Sequence, residues 1–279
     1  MLAKQDRRRP GGSATITPLE TSELEDFDEP IVVGNGFATA LRRGVGGANG
    51  RVLILPPFGL PAEFLGLIAD RLTKENYESI LLDTRDSNGA GSGDIENFLL
   101  STVVEDCKAA IEKYEPDVVV AMSLGARAAA RAIAESDQSP RSVFLLPVVE
   151  FRATLQQVLG RDLFAEPLAS PAHTTHVLGF DIRTEPFVSD CVNTKILCAD
   201  SMRTDLEGHG GEVMLLPGTN DPWIDHQTVT NVFHQVATHQ PKLRMQSLAC
   251  EQHELHKNPK MAVRMIGECV RQVVVGARS

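Results

Sequence analysis

Positive charge is in short supply in this chain of 279 residues: 27 Lys and Arg stand against 37 Asp and Glu, giving a net charge of -10 and a pI near 5.3. Nucleic acids and anionic membrane surfaces both select positive potential, so neither is expected as a partner. Cysteine is sparse and odd in number. The five thiols, Cys107, Cys191, Cys198, Cys250 and Cys269, are scattered with no Cys-x-x-Cys pair, a pattern that reads as free thiols in a reducing compartment. No apolar run approaches the roughly 18 residues that cross a bilayer, and the first residues lack the apolar centre of a secretory signal. A cytoplasmic location is therefore expected, with no membrane span. His-Glu-x-x-His and other metal-ligand spacings are missing too, so neither a metal nor an organic cofactor is expected.

What is present is an alternation of apolar β-branched runs with helical periodicity. Residues 1–30 mix Arg, Gly, Ser and Thr and then turn acidic, with little apolar patterning, so they are expected to form a disordered tail. From residue 31 to 279 a single domain is expected, since the length suits one large core carrying an insertion. Strands are predicted over Phe37–Arg42, Arg51–Leu55, Ser79–Leu82, Val118–Ala121 and Ser142–Leu146, with helices over Pro61–Leu72, Ile95–Tyr114 and Leu124–Ala134. Strand and helix taking turns implies an α/β fold, a mostly parallel sheet covered by helices on both faces. Between about 148 and 211 the alternation fails. There remain an amphipathic piece at Phe151–Leu159, a Pro- and His-rich loop, and a helical piece near Glu185–Thr194. So long an interruption before the next strand reads as an inserted cap or lid.

The most specific segment is Asp117 to Ala130, where the run Val118-Val119-Val120 stops at Ala121-Met122-Ser123-Leu124-Gly125 and an alanine-rich helix begins. A nucleophilic serine in such a strand-to-helix corner needs small neighbours two residues away on each side, because the backbone must pass close to them. Ala121 and Gly125 supply them, and the departure from Gly-x-Ser-x-Gly is confined to the first position. The competing reading of Ser123 is a helix-capping serine. Order along the chain favours the nucleophile, because in hydrolases with this corner the serine is followed by an acid and then a histidine, each after a late strand. Glu212 to Pro217 is a short apolar run that ends in Gly218-Thr219-Asn220-Asp221-Pro222-Trp223. After an amphipathic segment at Val229–Val236 and a strand-like run at Lys242–Leu248 come Cys250-Glu251-Gln252-His253.

The candidate triad is therefore Ser123, Asp221 and His253. Asp221 could instead cap a helix, with Pro222 at its first position; Asp225 and Asp200 compete as the acid, and His256 as the base. In the triad reading, His253 takes the proton of Ser123 and Asp221 holds the imidazole tautomer. The oxyanion needs two donors. The backbone N–H of Leu124 follows the nucleophile, and the second donor comes from the loop after the early strand, where Phe58 or Gly59 can donate while Pro56 and Pro57 cannot.

These segments resemble a known family, the acyl-transferase (acyl-protein thioesterase) subunit of the bacterial bioluminescence fatty-acid reductase, a serine α/β-hydrolase. Ala121-Met122-Ser123-Leu124-Gly125-Ala126-Arg127 is similar to its nucleophile segment, Asn220-Asp221-Pro222-Trp223 to its Asn-Asp-x-Trp acid segment, and His253-Glu254-Leu255 to its His-Asp-Leu base segment. Val148 to Leu155 and Phe187 to Cys191 resemble its lid. Gly125 stands where that family has serine, and Pro57-Phe58 where it has Gly-Phe. The resemblance runs from about Ile31 to the end of the last helix. It implies an α/β-hydrolase fold and cleavage of a fatty acyl group from a carrier-protein or coenzyme A thioester through an acyl-serine. An acyl carrier protein is acidic, and Arg127, Arg131, Arg152 and Arg161 are the basic residues expected to receive it. An esterase, a product-releasing cyclase with the same triad, and a catalytically silent binding protein are the alternatives.

Overall fold

A computed structural model of the chain describes residues 30–167 and 173–276. The expected tail, apart from residue 30, lies outside the described residues. In chain order the elements are β1 (Ile31–Val33), β2 (Gly36–Arg43), β3 (Arg51–Leu55), α1 (Gly66–Lys74), β4 (Glu78–Asp83), α2 (Leu100–Tyr114), β5 (Val118–Met122), α3 (Leu124–Ala134) and β6 (Arg141–Leu145). They continue with α4 (Phe151–Leu159), β7 (Thr174–Val177), β8 (Phe180–Arg183), α5 (Thr184–Asn193), α6 (Ala199–Glu207), β9 (Val213–Leu216), α7 (His226–Ala237), β10 (Leu243–Met245) and α8 (Pro259–Gly276).

Eight strands form one sheet in the order β1-β2-β4-β3-β5-β6-β9-β10. From β4 to β10 every pairing is parallel, and β2 runs antiparallel to both β1 and β4. A parallel sheet is covered on both sides, so its central strands must be apolar at every position. β5, with the sequence Val-Val-Val-Ala-Met, is buried throughout. Its two-residue period divides it between two cores: Val119 and Ala121 belong to one, and Val118, Val120 and Met122 to the other. β3 divides in the same way, Leu53 and Leu55 against Val52 and Ile54. The face holding Val118 is covered by α1 and α8, through Ile68, Leu72, Met265, Cys269 and Val273. The opposite face is covered by α2, α3, α6 and α7, through Cys107, Ile111, Ala129, Met202, Leu206 and Val232.

The helix expected at Pro61–Leu72 is a 3-10 turn at Ala62–Leu65 followed by α1, β1 lies outside the expected strands, and three further features depart from the sequence expectation. The single helix expected at Ile95–Tyr114 is a 3-10 turn at Ile95–Asn97 followed by α2, with Leu99 extended between them. The break is set from a distance: the Asp190 carboxylate on α5 accepts from the backbone N–H groups of Leu100 and Ser101, at 2.8 and 3.1 Å. A cap supplied 90 residues away leaves no local signature. The Pro- and His-rich loop contains the β7–β8 hairpin, whose turn places Leu178 and Gly179 at positive φ. The polar segment Ala199–Glu207 is a helix, α6, whose buried face includes an aspartate, Asp205.

Candidate active site

Ser123 sits between the last residue of β5 and the first of α3, with φ 56° and ψ −123°. A non-glycine residue seldom adopts this conformation, which persists only where the surroundings over-determine it. Here the Ser123 N–H donates to the Leu145 carbonyl at 3.0 Å, and its own carbonyl accepts from Ala126 and Val148 N–H at 3.1 and 3.3 Å. Neighbouring strand, following helix and the segment after β6 thus all hold the corner. Gly125 is required by space rather than by φ, because a Cβ there would lie 2.4 Å from the Pro56 carbonyl oxygen. The turn after β3 is closed by Leu60 N–H donating to Pro57 O at 3.4 Å. Gly59 occupies its third position at φ +75°, where a Cβ would also meet the Phe180 ring at 2.5 Å. This turn lies beside the start of α3, Phe58 lining one pocket with Leu124 and Gly125, and the Leu124 N–H is the first of that helix, a position without an intrahelical acceptor.

The acid and base arrive on loops at the C-terminal ends of β9 and β10. Those loops are stitched together, Thr219 N–H donating to Leu248 O at 2.9 Å and Asn220 N–H to Cys250 O at 3.0 Å. Asp221 Oδ1 accepts from the N–H groups of Trp223 and Ile224, at 2.9 and 3.2 Å, which leaves Oδ2 to face His253. The contacts are Asp221 Oδ2 to His253 Nδ1 at 2.7 Å and His253 Nε2 to Ser123 Oγ at 2.6 Å. Ser123 and His253 are buried, and the Asp221 side chain is 1% exposed. The Trp223 indole lies across the imidazole, with centroids 4.8 Å apart and planes tilted by 33°.

The competing residues lie elsewhere. Asp225 caps α7, accepting from Gln227 and Thr228 N–H and from the Thr228 hydroxyl; this hydroxyl bond, ahead of the backbone ones, holds its carboxyl below the usual carboxylate range. Asp200 is 82% exposed on α6 beside Arg203. His256 lies in a short 3-10 turn, Leu255–Lys257. Two of the four arginines expected at a carrier surface turn onto an aspartate instead. Arg127 is fully buried, and it shares the Asp205 carboxylate with Arg131, at 2.6 and 2.7 Å. Arg127 also reaches the Ser201 hydroxyl at 2.9 Å. Two arginines four residues apart on an alanine-rich helix look solvated in sequence; the aspartate supplied by α6 makes the burial of Arg127 possible. Arg152 and Arg161 are half-exposed and paired with Asp162 and Glu166.

The segment between β6 and β9 closes over Ser123. An apolar pocket leads from the serine beneath α4, the hairpin and α5, bounded by Phe58, Phe98, Phe151, Leu155, Val177 and Phe187. A second cleft beside Ser123 is lined by Pro57, Phe64, Leu178, Phe180, Trp223 and His253. Among the described residues no group of His, Cys, Asp and Glu could hold a metal ion, and no helix is long and apolar enough to cross a membrane. Sequence reasoning missed Phe98, Phe151 and Phe187 as pocket walls, since apolar residues on amphipathic helices carry no mark that separates a pocket from a core.

The sheet order and two-sided helical cover recur in solved structures. Est1E from Butyrivibrio proteoclasticus, solved with ferulic acid bound, superposes with a TM-score of 0.71 at 13% identity, covering 90% of this chain and 99% of that one. A monoacylglycerol lipase from Paleococcus ferrophilus gives 0.67 at 14% identity, covering 85% and 98%. DcsB in complex with a substrate analogue gives 0.63 at 15%, covering 88% and 99%. The architecture is thus the α/β-hydrolase fold. Comparison with curated protein sequences finds no significant match. At the level of families, residues 39–275 match the one described as acyl transferase, and the chain belongs to it. It is the family that the segments around Ser123, Asp221 and His253 resemble. Membership on this fold supports acyl hydrolysis or acyl transfer as the class of chemistry.

Proposed function

We propose that the protein is a serine acyl-thioesterase or acyltransferase that takes an acyl group from a carrier-protein or coenzyme A thioester through an acyl-serine. The observation that carries this reading is the chain of short hydrogen bonds from Ser123 through His253 to Asp221 at the mouth of an apolar pocket. With the Asp221 carboxylate accepting from Nδ1–H, the Nε2 lone pair faces the serine hydroxyl and can take its proton. Ser123 Oγ then adds to the thioester carbonyl. The oxyanion is met by the N–H groups of Leu124 and Phe58 at the start of α3, where the helix dipole also favours negative charge. Collapse breaks the C–S bond and the thiol leaves with the proton from His253. Water or another nucleophile, deprotonated by His253, releases the acyl group.

The acyl chain lies in the apolar pocket and the thiol moiety in the cleft beside His253. Intact-protein mass spectrometry after mixing with acyl-coenzyme A and acyl-carrier-protein thioesters tests the reading. An adduct of acyl mass is expected on the wild type and not on Ser123→Ala. Absence of both adduct and thioester loss with every donor would overturn it, and turnover of simple esters alone would favour the esterase.

A further inference from the structure

The pocket at Ser123 does not end where its walls first close. Behind Phe58 and Phe98 lies a second apolar chamber, between the ends of β3 and β4 and the start of α2. It is bounded by Leu55, Leu60, Thr84, Ser87, Leu100 and Val103. The chamber next to the serine and the one behind it are both small and mainly apolar. They share Phe58, Phe98 and Leu124 as a common wall. The two phenyl rings meet edge to face, centroids 4.8 Å apart at 81°, an arrangement that adds attraction to simple burial. Phe98 is 5% exposed and follows the 3-10 turn Ile95–Asn97, in the break before α2. Asp190 of α5 caps α2 just beyond it, and Phe187 of the same helix packs on its ring at 6.3 Å.

We propose that Phe98 is the partition that sets acyl-chain length: it ends the chamber holding the acyl chain on Ser123, and the chamber behind it is a latent extension for longer chains. This rests on the acyl-thioester reading above. Phe98 stands in the wall that the two pockets share, so a chain that extends from one into the other needs the ring to move. The ring is held by Phe58 on one side and by α5 on the other. Each methylene that is excluded or admitted changes kcat/KM by about tenfold or more in an apolar pocket, so one ring can define a sharp cut-off.

The test is the kcat/KM profile of wild type, Phe98→Ala, Phe98→Leu and Phe98→Trp over saturated acyl-coenzyme A thioesters from short to long chain, with circular dichroism to check folding. Phe98→Ala is expected to move the optimum up by about three carbons, the methylenes that a vacated phenyl volume accommodates. The ratio of the longer to the former best substrate should rise by at least about tenfold. Phe98→Leu should shift it less in the same direction, and Phe98→Trp should shorten it. Should the alanine variant not fold, the leucine and tryptophan variants still carry the ordering. A folded Phe98→Leu and Phe98→Trp pair with the wild-type profile, or an equal loss at every chain length, would overturn the partition. Failure of the wild type to cleave any thioester would overturn the underlying acyl-thioester reading instead.

Discussion

At Asp221 one carboxylate does two jobs: Oδ1 organises its own turn through Trp223 and Ile224, and Oδ2 orients His253. Asparagine keeps the turn acceptor but can present its amide N–H to Nδ1, reversing the tautomer. Asp221→Asn should therefore lower kcat by up to about ten-thousand-fold with little change in thermal stability. Asp225→Ala is the complementary control. It should cost about 1 kcal/mol in urea denaturation, as the loss of an N-cap does, with kcat kept. Gly125 is the other residue with a single tolerated identity. Gly125→Ala puts a methyl group 2.4 Å from the Pro56 carbonyl oxygen, so backbone must shift, and the loop that shifts carries the Phe58 N–H. The acyl-enzyme burst measured by stopped flow should fall by about a hundredfold or more, the effect of one displaced oxyanion donor.

Helices over the sheet are tied to one another by charge rather than by apolar contact alone. Asp205 on α6 neutralises the fully buried Arg127 and also binds Arg131, both on α3. Since α3 begins just after Ser123, the pair ties α6 to the helix that leads away from that serine. Asp205→Ala would strand a buried guanidinium, and guanidinium denaturation should report a loss of about 3–5 kcal/mol. Glu150 works similarly at the other end of α6, accepting from Ala199 N–H at 2.8 Å. These contacts bind carboxylates to partners 49 to 90 residues away, which is why α6 and the true start of α2 had no local signal. The elements with continuous apolar β-branched runs were legible for the converse reason: β3 and α3 match their expected limits, because burial on both faces or a strict helical period dictates their residue types directly.

Across the whole molecule, one buried titratable group couples stability to pH. His209 is fully buried, its Nδ1 accepts from Gly211 N–H at 3.2 Å, and its Nε2 lies 2.8 Å from the Ser142 hydroxyl. The bond from Gly211 fixes the neutral tautomer, with the proton on Nε2. Burial lowers its pKa from 6.5 to about 4. Between those values the unfolded chain takes up a proton and the folded one does not, so the folded state loses stability as pH falls from about 6.5 to about 4 and is then affected no further. The size is of the order of 3 kcal/mol. Denaturation midpoints of wild type and His209→Gln, compared at pH 7 and pH 4.5, should show a smaller pH dependence in the variant.

The sequence alone determined the class of fold and the order of the candidate residues, because a parallel sheet and a strand-to-helix corner demand particular residue types at short range: apolar runs, a small residue on either side of Ser123, and turn residues after β9. It also marked Asp221 and His253 as loop residues in the right order, while leaving Asp225, Asp200 and His256 as rivals. Only the tertiary structure brought Ser123, His253 and Asp221 within hydrogen-bond distance, because the loops that carry them meet through the pairing of β5, β6, β9 and β10. It alone turned two arginines inward onto Asp205, and it alone made Phe58 and Phe98 a wall between two chambers. Charge pairing and cavity shape are relations among distant side chains, and no local pattern of residue types encodes them.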